Sequence, residues 1–315
     1  MKLAFVFPGQ GSQSVGMLAT LADAEPVVAQ TFEEASGVLG YDLWTLCQHG
    51  PAEELNSTEK TQPALLAAST AVWRTWQARG GPDPAVMAGH SLGEISALVC
   101  AGAIDFAAAL ELVRFRGRVM QEAVPVGVGA MAAILGLPDD EVEAACNEAA
   151  QGEVVEAVNY NSPGQVVIAG IAAAVSRAVE ACRARGAKRA VELPVSAPFH
   201  SSLMRPAAER FRERLEEIDC RLPRIPVHAF DASLHGGPDA IRKALYWQLF
   251  NPVRWSTIMG AMIGSGVTHV AEAGPGKVLA GLARRAEGGR GLAVFAIDGT
   301  DGLEKALSGC AGEGA

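Results

Sequence analysis

The chain opens on an unbroken apolar run, Leu3-Ala-Phe-Val-Phe7, the pattern of a strand buried on both faces. It ends in the turn Pro8-Gly9-Gln10-Gly11-Ser12. Helical spacing follows around Pro26 to Leu39 and Pro63 to Arg79. Pro84-Ala-Val-Met-Ala88 reads as a second buried strand, and Leu92 to Ala101, rich in Leu, Ile, Val and Ala, as the next helix. Asp105 is placed to N-cap a helix through Glu122. Strand-like and helix-like segments alternate, which predicts an α/β fold with a mostly parallel sheet.

Residues 125–196 carry a different order. Gly129 to Leu135 reads as a strand, Asp139 to Ala150 as a helix, and Val154 to Tyr160 and Gln165 to Ala169 as strands around the turn Asn161-Ser-Pro-Gly164. Ala172 to Arg185 is a second helix and Lys188 to Pro194 a last strand, giving βαββαβ, the ferredoxin-like order. Flanked by Pro125-Val-Gly127 and Pro194, this block is expected to be a small subdomain, 125–196, inserted in a large domain made of 1–124 and 197–315. From Val195 onward helices and short strands return, and the Gly/Ala-rich Ser308 to Ala315 is expected to fray.

Composition narrows the function classes. With 49% hydrophobic and 19% charged residues, the 315-residue chain can bury a large core. The net charge of −9 argues against a nucleic-acid binder, which needs a dense basic face. Six cysteines without a C-x-x-C pair suit buried thiols in a reducing compartment. The apolar stretch Ile95 to Val113 is broken by Asp105 and Glu111, and Leu3 to Pro8 is too short for a signal sequence. A soluble cytoplasmic protein is therefore expected, without membrane association and without a metal, because no His pair has metal-ligand spacing on one helix face.

Gly89-His-Ser-Leu-Gly93 is the most specific chemical pattern: G-x-S-x-G between a strand and a helix presents a serine nucleophile. Ser91 would then stand at a helix N-terminus, which favours developing negative charge. The other reading is a tight turn whose glycines only supply positive φ. A nucleophilic serine needs a base. Of six histidines, His90 is expected to pack beside the turn, His49, His235 and His269 to lie at the surface, and His228 sits on a strand with no assigned role. His200, in the rigid loop Val195-Ser-Ala-Pro-Phe-His-Ser201, is the candidate base. On the helix from Asp105, Arg114 and Arg118 fall with Glu111 on the solvated side. Arg116 flanks the apolar stripe and wants a carboxylate, either a protein Asp or Glu or that of a substrate. Gly9-Gln-Gly11 lacks the third glycine of a dinucleotide fingerprint, and Gly274-Pro-Gly276-Lys277 lacks the first glycine and the Ser/Thr of a phosphate loop.

Eight segments occur in order: Phe7-Pro-Gly-Gln-Gly-Ser-Gln13, Gln62-Pro-Ala-Leu65, Gly89-His-Ser-Leu-Gly-Glu94, Arg116-Gly117, Asn161-Ser-Pro-Gly-Gln165, Ala197-Pro-Phe-His200, Gln248 with Asn251-Pro-Val253, and Glu272-Ala-Gly-Pro-Gly-Lys277. Together, from Leu3 to about Arg285, they resemble the malonyl-CoA:acyl carrier protein transacylases of bacterial type II fatty acid synthesis. The resemblance implies an α/β-hydrolase-like large domain with a ferredoxin-like insertion. It implies that Ser91 attacks the malonyl thioester, with His200 as base oriented by the main-chain carbonyl of Gln248. It also implies an oxyanion site at the amides of Gln10 and Leu92, Arg116 as clamp for the malonyl carboxylate, and Gln62 and Gln165 along the active-site gorge. The implied partners are malonyl-CoA and acyl carrier protein, with no cofactor and a monomeric enzyme. Arg284 and Arg285 match a basic pair implicated in carrier docking, and Lys188-Arg189 is a second candidate.

Two residues depart from the family pattern. Val227-His-Ala-Phe-Asp231 carries His228 and Ala229 where relatives often have Asn. Phe199, before the base, resembles malonyl-selecting members. A hydrolase sharing the serine elbow, a noncatalytic carrier-binding module and a polyketide acyltransferase are the rival readings; the first two are disfavoured by Arg116 together with Ser91 and His200.

Overall fold

The computed structural model describes residues 1–195 and 197–311. In chain order it begins with β1 (Leu3–Phe7), α1 (Ala19–Ala24), α2 (Pro26–Leu39), α3 (Leu43–His49), α4 (Ala52–Leu55) and α5 (Thr58–Ala78). Next come β2 (Val86–Gly89), α6 (Leu92–Cys100) and α7 (Phe106–Glu122). A second group comprises β3 (Gly129–Leu135), α8 (Asp139–Ala150), β4 (Val155–Ser162), β5 (Gln165–Ile171), α9 (Ala172–Ala184) and β6 (Arg189–Glu192). The chain returns through α10 (Arg205–Glu216), β7 (Val227–His228), α11 (Pro238–Gln248), α12 (Trp255–Gly264), β8 (His269–Ala273), α13 (Val278–Arg285), β9 (Ala293–Ile297) and α14 (Thr300–Cys310).

The large sheet has the order β7-β2-β1-β8-β9, with parallel neighbours throughout. Counting only its own strands, this is the doubly wound order 3-2-1-4-5. Alternate residues of β1 explain its unbroken apolar run. Leu3, Phe5 and Phe7 enter a core built with α2, α5, α6 and α7, while Ala4 and Val6 enter another with Trp255, Met259 and Leu282. Phe5 meets the rings of Trp73 and Trp76 edge-on at 5.2 and 5.1 Å, contacts worth about 0.5–1.5 kcal/mol each beyond the area they bury. In a doubly wound sheet the carboxyl ends of strands beside the switch in order form the ligand crevice. Here the order reverses between β1 and β8, so the loop carrying Gln10 after β1 stands at that crevice, and Ser91 follows the carboxyl end of the neighbouring β2.

The second sheet is antiparallel, in the order β4-β5-β3-β6, which is the ferredoxin-like arrangement of a βαββαβ unit. One face packs Ile134, Val166 and Ile168 on α8 and α9, forming a core of its own. The other face contributes Met131, Val167 and Ala169 to the large core. A bridge between Asn159 and Val253, with Tyr160 N donating to Val253 O at 3.0 Å, ties β4 to the segment after α11. Asn159, at this join, also lines a cavity shared with the loops after β1 and β2.

Three boundaries differ from the sequence expectation. Helix α5 begins at Thr58 rather than Pro63. Pro63 lies near the helix start, so its missing N–H removes only the bond to the Glu59 carbonyl, and Thr61 Oγ1 bonds Leu55 O and Ser57 O in the opening turn. Strand β4 runs on to Ser162, leaving Pro163-Gly164 as the turn, with Gly164 at φ 70°. Ser308 to Cys310 are helical rather than frayed, because Leu303, Ala306 and Cys310 bury one face of α14. Residues 312–315 and Ser196 lie outside the described residues.

Candidate active site

The serine elbow is built by close packing. A Cβ on Gly89 would stand 1.8 Å from the Gly93 carbonyl carbon, and one on Gly93 would stand 2.0 Å from the Phe7 carbonyl oxygen. Both glycines therefore let α6 press against β2 and β1. The positive φ falls on Ser91 itself, at 54°. A non-glycine residue rarely adopts that conformation, and surrounding packing must impose it. The alternative of a turn whose glycines only supply positive φ is thereby set aside. Ser91 Oγ stands at the head of α6, whose first residue is Leu92. The opening N–H groups of a helix have no partner within it.

His200 also has a positive φ, 65°. Its loop is pinned on both sides: Ser201 Oγ donates to Pro198 O at 2.6 Å, and Ser202 donates through N and Oγ to the Glu156 carboxylate on β4, both at 2.7 Å. His200 Nε2 lies 2.8 Å from Ser91 Oγ, and Nδ1 lies 2.8 Å from the Gln248 carbonyl oxygen. A carbonyl only accepts, so Nδ1 carries the proton and Nε2 is left to accept from the serine. Burial, and secondly the Arg116 charge, push the His200 pKa down to about 3, so the imidazole is neutral and free to act as a base.

Arg116, on α7, is 1% exposed. Its Nη1 donates to Gln62 Oε1 at 2.9 Å, and its Nη2 donates to Gln248 Oε1 at 2.7 Å and to Ser91 Oγ at 3.2 Å. A Cβ on the adjacent Gly117 would be 2.5 Å from the Thr58 carbonyl oxygen, so that glycine lets α7 approach α5 closely enough for Arg116 to meet Gln62. Among the described residues no Asp or Glu forms a salt bridge with Arg116, and its buried Nε has no hydrogen-bond partner. Burial pushes its pKa down to about 10, while the charge of Glu94 opposes that fall. The guanidinium is thus still charged at neutral pH and faces only neutral oxygens. The alternative of a direct structural salt bridge is removed.

These groups line a cavity of about 110 Å³. Gln10, Leu92, Gln62 and His90 border it, and Met120, Met131 and Phe199 supply apolar wall. A larger groove of about 940 Å³, between Gly136–Asp139 and α12, contains no paired nucleophile and base. Gln165 is not among the cavity's lining residues. It begins β5, and its Oε1 accepts from Arg285 Nη2 at 3.4 Å. Arg284 and Arg285 end α13 and are exposed, as are Lys188 and Arg189.

The histidines are distributed partly as expected. His49 is exposed, and His90 packs its ring near Trp255 at 5.7 Å, but it also borders the cavity with Nε2 2.9 Å from Asn161 Oδ1. His269 lies on β8 rather than in a turn, half-buried against Phe295. His228 Nδ1 bonds the Ala232 carbonyl at 2.9 Å. His235, expected at the surface, is buried. The segment after β7 folds back, with His235 N donating to Val227 O at 3.0 Å, and this carries the ring to Glu94 Oε1 at 3.0 Å. Glu94 Oε2 in turn accepts from Gln248 Nε2 at 2.7 Å. The sequence analysis assigned neither Glu94 nor His235 to the site. The available signal was Glu94 itself, the one charged residue in α6.

The Gly274–Lys277 segment is not a phosphate loop in structure either. The carboxylate of Glu272 takes the N–H groups of Leu279 and Ala280 at 3.1 and 2.7 Å, so the start of α13 is already occupied. Among the described residues no cluster of three or more His, Cys, Asp or Glu could hold a metal, and no helix is long and apolar enough to cross a membrane. All six cysteines are free and buried.

Comparison with known proteins identifies the family. A family model described as an acyl transferase domain matches residues 4–280. The malonyl CoA-acyl carrier protein transacylase of Escherichia coli K12 is 60% identical over 285 residues, covering 90% of this chain and 92% of that protein. The Bacillus subtilis protein of the same name is 43% identical over 308 residues, covering 97% and 96%. A malonyl-transacylase solved in complex with a type II polyketide acyl carrier protein superposes with a TM-score of 0.96 at 55% identity, covering 98% of this chain and 100% of that one. An acyl carrier protein S-malonyltransferase from Vibrio cholerae gives 0.94 at 55% identity, covering 96% and 99%. The chain belongs to the acyl transferase family and, within it, to the malonyl-CoA:acyl carrier protein transacylases.

Proposed function

We propose that this enzyme transfers a malonyl group from malonyl-CoA to the phosphopantetheine thiol of acyl carrier protein through a malonyl ester of Ser91, supplying fatty acid elongation. The observation that carries this reading is Arg116: a buried guanidinium without a carboxylate partner, 3.2 Å from the candidate nucleophile. Burying an unpaired cation costs several kcal/mol. A substrate carboxylate that enters the cavity beside Ser91 offsets that cost. A neutral acyl group does not, which separates this site from that of a general hydrolase.

In the first half-reaction His200 Nε2 takes the Ser91 proton as Oγ attacks the thioester carbonyl. The oxyanion is held by the main-chain N–H groups of Gln10 and Leu92, which border the cavity. Collapse expels the CoA thiolate, which takes the proton from His200 and leaves malonyl-Ser91. In the second half-reaction His200 takes the proton from the carrier thiol, the thiolate attacks the ester, and the proton returns to Ser91 Oγ. Gln62 and Gln248 hold Arg116 in place through both steps. Binding of the malonyl carboxylate also cancels the Arg116 charge that weakens His200 as a base, so the correct substrate strengthens the base that acts on it.

The reading carries with it a cofactor-free monomeric enzyme of the cytoplasm, divided as 1–124 with 197–315 and 125–196. Arg284 and Arg285 are proposed to meet the acidic carrier, with Lys188 and Arg189 as a second basic patch. Arg285 also donates to Gln165 Oε1. The test is transfer of radiolabelled malonyl to holo carrier protein of fatty acid and of polyketide type. Preference for the former supports the pathway, and preference for the latter reassigns it without changing the chemistry.

A further inference from the structure

The clamp hangs on a chain of buried hydrogen bonds that ends in a residue far along the sequence. The Gln248 carboxamide can present its oxygen or its NH₂ group to Arg116. Only the oxygen is useful there, since a second set of N–H donors would repel the guanidinium. What decides the orientation lies on the other side: Gln248 Nε2 donates to Ser91 O at 3.0 Å and to Glu94 Oε2 at 2.7 Å. Glu94 is fully buried, and its second oxygen is held by His235 Nε2 at 3.0 Å. His235 comes from the segment after β7, which follows directly on His228 and Ala229, where the chain departs from the family pattern.

We propose that His235 is a positioning residue for malonyl selection: by donating to Glu94 it fixes the carboxylate that orients the Gln248 carboxamide, and so fixes Arg116 against the acyl carboxylate. The same Glu94 charge favours the ionised guanidinium. Without the His235 donor, the buried carboxylate of Glu94 turns toward whatever other donor it can reach. The carboxamide NH₂ then loses its shorter, charged acceptor and keeps only Ser91 O, so Oε1 is held less firmly on Arg116. The main-chain carbonyl of Gln248, which orients His200, does not depend on the side chain's orientation, so the base is spared.

The inference rests on Arg116 being the clamp proposed above, and the experiment separates the two. Transfer from malonyl-CoA and from acetyl-CoA to holo carrier is measured for the wild type and for His235→Gln, His235→Asn and His235→Ala. Glutamine can place a donor where Nε2 stands, whereas asparagine falls short. The expected result is a loss of malonyl kcat/KM on the order of tenfold in the Asn and Ala variants, carried mainly by KM. Acetyl transfer should stay within about twofold and the Gln variant near wild type. In an Arg116→Ala background, His235→Ala should have no further effect on malonyl transfer. Equal losses for both acyl groups, no loss in Asn and Ala, or a Gln variant as poor as Asn would overturn the inference. If His235→Ala does not fold, the comparison of Gln with Asn carries the same test. Absence of malonyl transfer in the wild type would instead overturn the proposed function itself.

Discussion

Arg116 Nη2 and Ser91 Oγ are 3.2 Å apart, which places a permanent cation within hydrogen-bond reach of the nucleophile. That distance limits the acyl groups the site can use well. On an acyl-serine, a carboxylate on the α-carbon of the acyl chain can reach the guanidinium, whereas a plain alkyl chain leaves it buried and unpaired. Removing Arg116 by substitution with Ala should therefore lower malonyl kcat/KM by about 30-fold or more, corresponding to about 2 kcal/mol or more for losing one partner of a buried charge pair. Turnover of acetyl-CoA should survive or rise. Steady-state kinetics on both substrates check this, and unchanged malonyl kinetics would remove the clamp.

The pH dependence follows from the same cation. A base must be unprotonated, and His200 is held down to about 3 by burial first and Arg116 second. An unperturbed histidine near 6.5 would make kcat/KM fall as pH drops below 7. Here the His200 limb should be absent through that range and appear only in strong acid. With Arg116→Ala one of the two causes is gone, so the limb should move upward in pH. Profiles of acetyl transfer, whose acyl group has no carboxylate for Arg116 to bind, would show it. A wild-type limb near 6.5 would contradict the account.

Gly93 tests the elbow as a packing device. Its Cβ position lies 2.0 Å from the Phe7 carbonyl oxygen, backbone against backbone, so Gly93→Ala must push α6 off β1. Overpacking of this kind typically costs about 1–3 kcal/mol. Thermal unfolding should show a Tm several degrees lower, and acylation of Ser91 should drop with it. A variant of wild-type Tm and activity would mean the helix can shift without moving the serine.

Glu272 gives a stability test away from the chemistry. Burial raises its pKa to about 7 from 4.5, despite two backbone donors that favour the carboxylate. The folded state thus holds a proton that the unfolded state has lost between those values. Stability from this group is full below about 4.5 and declines as pH rises through 7. Denaturant unfolding of Glu272→Gln should show a flatter dependence over that window than the wild type. Parallel curves for the two proteins would contradict it.

Much of this was readable in the residues, and the failures have physical causes. The β1 run, the Asp105 cap and the βαββαβ order were legible because each is a local signal; Asp105 Oδ1 does accept from Ala107 N and Ala108 N. Ser91 and His200 were legible through their turns. Gln62 was named, but its place inside α5 was not, because Pro63 looks like a helix start. Glu94 and His235 stayed hidden because their meeting joins residues 141 positions apart, and no local pattern records it. Gln165 begins β5 as its position after the turn implies; its side chain meets Arg285, and it is not among the residues lining the cavity beside Ser91.

The central claim is that Ser91 carries the malonyl group between donor and carrier. Intact-protein mass spectrometry after mixing with malonyl-CoA, followed by addition of holo acyl carrier protein, tests it most directly. The account predicts one malonyl adduct, absent in Ser91→Ala, that moves to the carrier. An adduct lost to water at the same rate with or without carrier, or no adduct on an intact Ser91, would contradict it.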